Sequence, residues 1–252
     1  MSEDRAETLF GLHPVLEAIE AGRRTVDRVL VAREGGGKNL GRLLRAARAA
    51  GIPVTYLPKE VLGKKIGARA AHQGGAALVT PIPYADPDEI CDAAGRKPAG
   101  LLVFLDGIED PRNLGAIVRT AAAVGVDGIL LGTEDTVGIT PVVAKTAAGA
   151  LERVPIAREP RPARRLGALK SRGFRVVALD PRGQVSWAAP AYGKPTVLIA
   201  GGEGRGLRRG LLDVADDRIA LPLAPGTESL NVSVAVGAVL YEAVRQRLLE
   251  RA

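Results

Sequence analysis

An asparagine and an arginine stand six positions apart in a segment that follows the apolar run 101–105. A helix is predicted over 114–124, and Asn113 stands at its start, where asparagine commonly caps a helix. Arg119 follows about 9 Å further along the helix axis, among small and apolar neighbours. An arginine on such a stretch needs an anionic partner or a path to water. The segment therefore predicts a helix capped by Asn113, with Arg119 either as an exposed surface charge or as a residue that binds an anion.

Glycines dominate a second segment, 201–206, which reads GGEGRG. It follows the apolar run 196–200 and precedes a predicted helix over 207–214. Glycines permit close approach of the backbone, and a helix N-terminus attracts anions. A dinucleotide-binding loop is disfavoured, because that motif belongs to the first strand of its sheet and needs an acidic residue about 20 positions on. A tight strand-to-helix turn and a ligand-binding loop both remain open.

A third polar loop, PLAPGTE, follows the apolar run 218–221 and leads into the last predicted helix, 232–251. Ser229 and Asn231 flank a single leucine, Leu230, just ahead of that helix. Either polar residue can cap the helix, and one cap accounts for only one of them. The other leaves a hydrogen-bonding side chain for a ligand.

The elements around these loops predict an α/β unit with a parallel sheet. Short apolar runs bounded by turn residues suit strands buried on both faces; they lie at 101–105, 128–131, 175–179, 196–200 and 218–221. Helical segments fall between and after them, at 114–124, 142–150, 163–171, 207–214 and 232–251. In an open α/β sheet, ligands bind outside the carboxyl ends of the strands. All three polar loops are predicted at that edge, which indicates a site more strongly than any one loop.

Residues 1–80 predict a separate, smaller α/β/α domain, and the proline-rich stretch 81–99 predicts a linker that carries a short helix over 87–94. Strands are indicated at 26–32, 52–57 and from 75 to Pro81, with a helix in the segment 11–22 and others over 40–50 and 61–66. Arg42, Arg45 and Arg48 lie on one face of the second helix. They are candidate residues for binding a polyanion such as a nucleic acid, and a solvated basic surface is the alternative.

Composition restricts the class of protein. The 252 residues carry a net charge of +7, which favours a polyanionic partner, while an aromatic content of 3% disfavours base stacking as the main contact. The single cysteine, Cys91, cannot form a disulfide within the chain, and with two histidines the ligands for a Cys/His zinc site are too few. The apolar runs are too short to span a membrane, and the first residues lack a secretory signal. We therefore expect a cytoplasmic protein without a metal.

The segments DPRNLGAIVRTAAAVG, GGEGRGL and SLNVSVAVG, in that order, resemble the three motifs of the SpoU/TrmH family of RNA ribose 2′-O-methyltransferases in the SPOUT superfamily. This resemblance covers about residues 101–250. GLHPVLEAI near the start and AHQGGAAL at 71–78 resemble the family's L30e-like substrate-binding domain. Together they resemble the subgroup that methylates a guanosine 2′-oxygen in the peptidyl-transferase P loop of 23S ribosomal RNA. That subgroup commonly has histidine where this chain has Arg112.

The resemblance implies a parallel sheet with a C-terminal trefoil knot, S-adenosylmethionine bound in the knot, and a homodimer. It assigns Asn113, Arg119, Glu203, Ser229 and Asn231 to the catalytic site. It also implies that the backbone at Gly201, Leu221 and Leu230 surrounds the methyl donor, and that Leu179 lies beside the adenine.

The implied reaction is an in-line displacement at a sulfonium methyl, which needs alignment of the attacking oxygen and help with the hydroxyl proton. The family proposal gives proton removal to the arginine that matches Arg119. Because arginine holds its proton so strongly, we expect Arg119 to hold a phosphate and the developing alkoxide. A tRNA ribose methyltransferase and a non-catalytic RNA-binding protein of the same fold are the alternatives.

The last predicted helix also indicates a dimer, since its apolar stripe is wide for a helix that covers one small sheet. The stripe comprises Val232, Val236, Val239, Leu240, Ala243, Val244 and Leu248. Half of it can cover the sheet, and a two-fold partner that offers the same patch can bury the rest.

Overall fold

The computed structural model describes residues 7–33, 38–66, 74–202 and 204–249. The chain forms two compact units, residues 1–83 and 84–252. This division differs from the predicted linker over 81–99, because most of that segment belongs to the second unit. Its helix α4 (Pro87–Gly95) buries Ile90, Cys91 and Ala94 in the core of the second unit. Proline and polar residues made this segment look like a connector, but its three apolar side chains are spaced to cover a sheet.

The first unit is a four-stranded sheet with helices on both faces. Its strands are β1 (Glu7–Phe10), β2 (Val26–Ala32), β3 (Val54–Leu57) and β4 (Gly75–Val79), in the order β1-β4-β2-β3. The helices are α1 (Leu12–Ala21), α2 (Lys38–Ala49) and α3 (Lys59–Ile66). Apolar residues of α1 and α2 pack on one face of the sheet, and Leu62 of α3 packs on the other. The predicted α/β/α layering is confirmed, and strand β1 is an addition that the sequence analysis missed.

The second unit is built on a seven-stranded sheet in which every pairing is parallel. Its order is β7-β6-β5-β10-β8-β11-β9. The strands are β5 (Leu101–Asp106), β6 (Gly128–Gly132), β7 (Ile156–Glu159), β8 (Arg175–Leu179), β9 (Val185–Ser186), β10 (Thr196–Gly201) and β11 (Asp217–Ala220). The five predicted strands are present, and β7 and β9 lie at the two edges, where short, half-polar strands give weak sequence signals.

Helices cover both faces of this sheet. They are α4, α5 (Pro111–Val124), α6 (Pro141–Ala147), α7 (Pro162–Ser171), α8 (Arg209–Leu212) and α9 (Val232–Leu249), with a 3-10 turn at Ala150–Glu152. Alternate strand residues such as Phe104 and Ile199 meet α4, α7 and α8. The intervening ones face the opposite side, where α5 packs on α6 and α9. Strands buried on both faces explain the continuous apolar runs.

No helix in the described part of the chain has the length and apolar character that crossing a membrane requires.

Candidate active site

The three polar loops meet at the carboxyl edge of the second unit's sheet. Strands β5, β10, β8 and β11 are consecutive neighbours and run parallel, so their ends lie side by side. Asp106 at the end of β5 is in register with Gly201 at the end of β10. The three segments that the sequence predicted to form one site therefore follow strand ends at the same edge of the sheet.

Among the described residues, the loop after β5 and the glycine loop (residues 201–206) contact each other through their backbones. The Gly202 amide donates a 3.0 Å hydrogen bond to the carbonyl of Asp106. A Cβ at Gly202 would lie 1.9 Å from the carbonyl oxygen of Gly107, and one at Gly201 would lie 2.2 Å from the carbonyl carbon of Gly206. Since real side chains never approach so closely, glycine is required at both positions. The glycine loop is a tight turn that is also held against the first motif.

Asp110, not Asn113, caps helix α5. The Asp110 carboxylate accepts a 2.7 Å hydrogen bond from the amide of Arg112. Asn113 is the third residue of the helix, in its first turn, with only 8% of its surface exposed. Its side-chain oxygen accepts a 2.9 Å hydrogen bond from the side-chain nitrogen of Asn231. The capping interpretation of Asn113 is therefore wrong, and its side chain links the first motif to the third.

Asn231 caps helix α9 while it holds Asn113. Its side-chain oxygen accepts hydrogen bonds from the backbone amide of Ser233 at 3.0 Å and from the Ser233 hydroxyl at 2.6 Å. The amide nitrogen of the same side chain makes the bond to Asn113. Ser229 is exposed in the preceding loop. Of the two possible caps, Asn231 takes the role, and the Ser229 side chain stays exposed in the loop ahead of the helix.

The positions predicted around the methyl donor follow neighbouring strands. Leu179 ends β8, where it is in register with Ala200 of β10 and Ile219 of β11. Gly201 ends β10, and Leu221 follows β11; all three are half-buried. Leu230 is 41% exposed in the loop ahead of α9. The structure thus brings Leu179, Gly201 and Leu221 to adjacent strand ends, with an uncovered leucine in the third loop.

Arg119 lies on a different side of α5 from Asn113. Six residues of α-helix turn through about 600°, which places the two side chains about 120° apart around the axis. Asn113 is buried toward α9, whereas Arg119 is exposed. Within one chain, the arginine of the first motif therefore does not join the asparagine pair.

A cleft of about 370 Å³ opens beside the asparagine pair, between the loops that follow β5, β6 and β10. It is lined by Asp106, Gly107, Ile108, Glu109, Asp110, Asn113, Glu134, Asp135, Gly202, Gly204, Arg205, Gly206, Arg208 and Val232. Arg119, Ser229 and the four positions predicted around the methyl donor are not part of this lining. The cleft and the predicted donor positions are therefore separate regions that share the glycine loop.

An arginine that the sequence analysis did not select closes one wall of the cleft. Arg208 donates to both carboxylate oxygens of Asp106, at 2.8 Å from Nε and 2.6 Å from Nη2. Its Nη1 donates to the carboxylate of Glu134 after β6. The hydrogen bond to Asp106 raises the pKa of the Arg208 guanidinium above its ordinary value. Arg208 was missed because its partners lie 74 and 102 residues earlier in the chain.

Two sets of predicted residues lie outside this edge. Glu203 is outside the described residues. Arg42, Arg45 and Arg48 of the first unit are exposed on the face of α2 opposite the buried Leu43 and Ala47. Arg42 is 3.8 Å from the carboxylate of Glu20. In the described ranges, no cluster of three or more histidine, cysteine, aspartate or glutamate side chains is arranged to hold a metal ion.

Comparison with protein families matches both units. Residues 100–241 match the model of the SpoU rRNA methylase family, and residues 8–85 match the model named RNA 2′-O ribose methyltransferase substrate binding. An uncharacterized tRNA/rRNA methyltransferase of Mycobacterium ulcerans is 40% identical over 244 residues, which cover 97% of this chain and 78% of the relative.

Solved structures agree with these matches. The SpoU methyltransferase AviRb from Streptomyces viridochromogenes, in complex with AdoMet, has a TM-score of 0.79 and 27% identity, covering 96% of this chain and 91% of AviRb. An AdoMet-bound rRNA methyltransferase from Sinorhizobium meliloti has a TM-score of 0.78 and 27% identity, covering 96% of this chain and 88% of the other. A TrmH/SpoU tRNA-modifying enzyme from A. aeolicus is 34% identical with a TM-score of 0.56, and covers 65% of this chain and 83% of that enzyme.

These matches confirm the resemblance of the sequence motifs and of the parallel-sheet fold with its N-terminal substrate-binding domain. The chain belongs to the SpoU rRNA methylase family and is an RNA methyltransferase.

Proposed function

We propose that the protein transfers a methyl group from S-adenosylmethionine to a ribose 2′-oxygen of RNA. The observation that carries this proposal is the Asn113–Asn231 hydrogen bond, which joins the first and third motifs beside the glycine loop. The family match supports methyl transfer to RNA, and the name of the substrate-binding family supports the ribose oxygen.

The residues at the strand ends fit S-adenosylmethionine. Leu223 and Leu230, 37% and 41% exposed, offer apolar surface in the loop that follows β11, and β11 is the neighbour of β8 in the sheet. The ligand's adenine needs apolar cover, while its amino-acid end needs hydrogen bonds. Leu179, Gly201, Leu221 and Leu230 would hold it. When bound, it supplies an activated methyl group on a sulfonium sulfur.

The chain's own residues then orient the acceptor. In the transfer, the ribose oxygen forms a bond to the methyl carbon, the carbon–sulfur bond breaks, and the hydroxyl proton passes to a base in the complex. We assign Arg119 to a phosphate and to the developing alkoxide, because a planar guanidinium stabilises oxyanions well and gives up its proton poorly. Asn113, Glu203, Ser229 and Asn231 complete the polar site, as the motif resemblance implies.

We infer that two chains build each active site. Arg119 is exposed on a different side of α5 from Asn113, and the family resemblance implies that a second chain brings this arginine to the methyl donor. The apolar stripe on α9 that the sequence predicted for the dimer contact is mostly buried within the chain. Val232, Val236, Val239, Leu240 and Ala243 are buried within the chain, because α9 packs on α5 as well as on the sheet.

A different apolar stripe on α9 stays exposed. Val234, Tyr241 and Leu248 are 55%, 57% and 61% exposed. They are spaced seven residues apart, so they lie on one face of the helix. We assign the homodimer contact to this stripe. We also propose that the chain forms the C-terminal trefoil knot that the family resemblance implies, at the third loop.

The substrate we propose is ribosomal RNA, with a guanosine of the 23S P loop as the first target to test, in the cytoplasm. Solved relatives that match both units include the rRNA methyltransferase of Sinorhizobium meliloti, whereas the A. aeolicus tRNA-modifying enzyme matches 65% of this chain. The first unit offers Arg42, Arg45 and Arg48 as an exposed basic face for an additional RNA segment.

The test is methyl transfer from labelled S-adenosylmethionine to purified 23S ribosomal RNA and, separately, to tRNA. Ribose methylation is mapped by resistance to alkaline cleavage. We expect a 2′-O-methylated guanosine in 23S RNA. Modification of tRNA alone would assign the protein to the tRNA alternative. RNA binding without methyl transfer or donor binding would assign it to the non-catalytic alternative.

A further inference from the structure

The Arg208 side chain connects three loops at the active-site edge of the sheet. Arg208 stands immediately after the glycine loop and its following leucine, Asp106 ends β5, and Glu134 follows β6. The guanidinium makes two hydrogen bonds to Asp106 and one to Glu134. The connection therefore spans the ends of three adjacent strands, β6, β5 and β10.

The inner half of this connection is buried. The Asp106 side chain is 3% exposed, while those of Arg208 and Glu134 are 39% and 71% exposed. A buried carboxylate is costly without its partner, so Asp106 fixes the guanidinium strongly. The outer carboxylate is in water and contributes orientation more than energy.

Arg208 and the backbone hydrogen bonds together anchor the glycine loop to the end of β5. Gly202 is fixed at its N-terminal side by the hydrogen bond to Asp106, and Gly206 donates a 3.0 Å hydrogen bond to the carbonyl of Gly202. Arg208 fixes the C-terminal side of the same loop to the same aspartate, this time through its carboxylate. Both ends of the loop are thus anchored to the end of β5.

We propose that Arg208 is a positioning residue for the methyl donor: by binding Asp106 and Glu134 it holds the glycine loop in the conformation that accepts S-adenosylmethionine. This inference rests on the proposed function, since it takes the glycine loop as part of the donor site. Arg208 acts through the loop and does not touch the reacting atoms. A lysine there would keep the charge but cannot supply the planar fork that reaches two carboxylates.

The chain contains a matched control for this arrangement. Arg165 on α7 binds Glu159 at the end of β7, at 2.5 Å, and also binds Asp88 on α4. The Glu159 and Asp88 side chains are 4% and 73% exposed, close to the values for Asp106 and Glu134. Strand β7 is one of the two edge strands, and none of these three residues lines the cleft. Breaking this second cluster should cost stability without changing the donor site.

The experiment compares Arg208→Lys with Arg165→Lys in the full-length protein, using calorimetry with S-adenosylmethionine and thermal melting. We expect both variants to melt at lower temperature. Only Arg208→Lys should weaken donor binding, by about tenfold, and raise the donor KM more than it lowers kcat. RNA affinity should change by less than about twofold in either variant.

A second pair of variants, with milder changes, tests the same role if the arginine variants misfold. Glu134→Gln and Asp88→Asn each alter an exposed outer carboxylate and should leave the fold intact. We expect Glu134→Gln to weaken donor binding about threefold and Asp88→Asn to leave it unchanged. Equal donor affinity in the Arg208 and Glu134 variants and the wild type would overturn the positioning role. Absence of donor binding by the wild-type protein would instead overturn the proposed function.

Discussion

The side-chain nitrogen of Asn231 donates a 2.9 Å hydrogen bond to the side-chain oxygen of Asn113, across 118 residues of sequence. One amide thereby caps α9 with its oxygen and fixes the first turn of α5 with its nitrogen. The start of each helix depends on the other, because neither side chain can rotate without breaking a hydrogen bond. This pair sets the relative position of the first and third motifs.

Asn231→Ala should lose about 1 kcal/mol of stability, as expected for removal of a helix cap, and should also lose most methyl transfer. Thr140→Ala is the control, since the Thr140 hydroxyl oxygen caps α6 by accepting a 3.3 Å hydrogen bond from the amide of Val143. Denaturant unfolding and initial rates measure the two effects. If both variants lose stability and neither loses activity, the asparagine pair has only a structural role.

Arg119→Ala should abolish methyl transfer while S-adenosylmethionine binds within about threefold of the wild-type affinity. The reason is that Arg119 is exposed on α5 and is not among the residues assigned to the donor. Arg119→Lys should also be inactive, because one ammonium cannot replace a planar fork. Calorimetry and single-turnover rates give the two quantities. Loss of donor binding in parallel with activity would place Arg119 at the donor instead.

Replacing Arg42, Arg45 and Arg48 together by alanine should weaken RNA binding without affecting donor binding. The slope of log affinity against log salt should become less steep by about one for each phosphate that the variant no longer neutralises. Filter binding over a range of salt concentrations measures this slope. Arg164→Ala, an exposed arginine on α7 of the second unit, is the comparison. An unchanged slope in the triple variant would show that this face of α2 is only solvated.

Tyr241→Glu should dissociate the dimer, because it places a charge in the middle of the exposed stripe on α9. Tyr56→Glu, a similarly exposed tyrosine on β3 of the first unit, should leave the dimer intact. Sedimentation at micromolar concentration measures both. A wild-type monomer would contradict the dimer itself, whereas a Tyr241→Glu dimer would move the interface to another surface.

The shared site has its own consequence. Mixing an Arg119→Ala chain with a chain damaged by Leu230→Asp should restore partial activity, because a mixed dimer contains one site with both an intact arginine and an intact donor loop. Each variant alone should be inactive. Dimers that exchange chains without recovering activity would show that each chain builds its own site.

The stability of α9 should fall in acid through Glu242. The hydrogen bond from Arg245 holds the pKa of the buried Glu242 carboxyl below its usual value. A lowered folded-state pKa contributes stability that is present above the unfolded pKa of about 4.3 and is lost as the pH falls through the folded value. Glu242→Gln should therefore lower the melting temperature at pH 7 more than at pH 3. An equal loss at both pH values would contradict this assignment.

The sequence predicted the sheet well because β5, β6, β8 and β10 are buried on both faces, which leaves continuous apolar runs. It also predicted that the asparagines and the glycine loop share one edge. It offered Asn113 as one possible cap of α5 and overlooked Asp110, because asparagine and aspartate are both good caps and only the backbone geometry separates them. Arg208 could not be found because ion pairs between distant loops leave no periodic signal. The face of α9 was misjudged because its burial by α5 depends on the tertiary packing.

The close backbone approach of Gly107 and Gly202 limits which residues position 202 can accept. A Cβ at Gly202 would lie 1.9 Å from the carbonyl oxygen of Gly107, and every amino acid carries that oxygen. Replacing Gly107 therefore cannot make room for a side chain at position 202. In a library of variants of this loop, position 202 must stay glycine, whereas position 204, where a Cβ would meet open space, accepts a side chain.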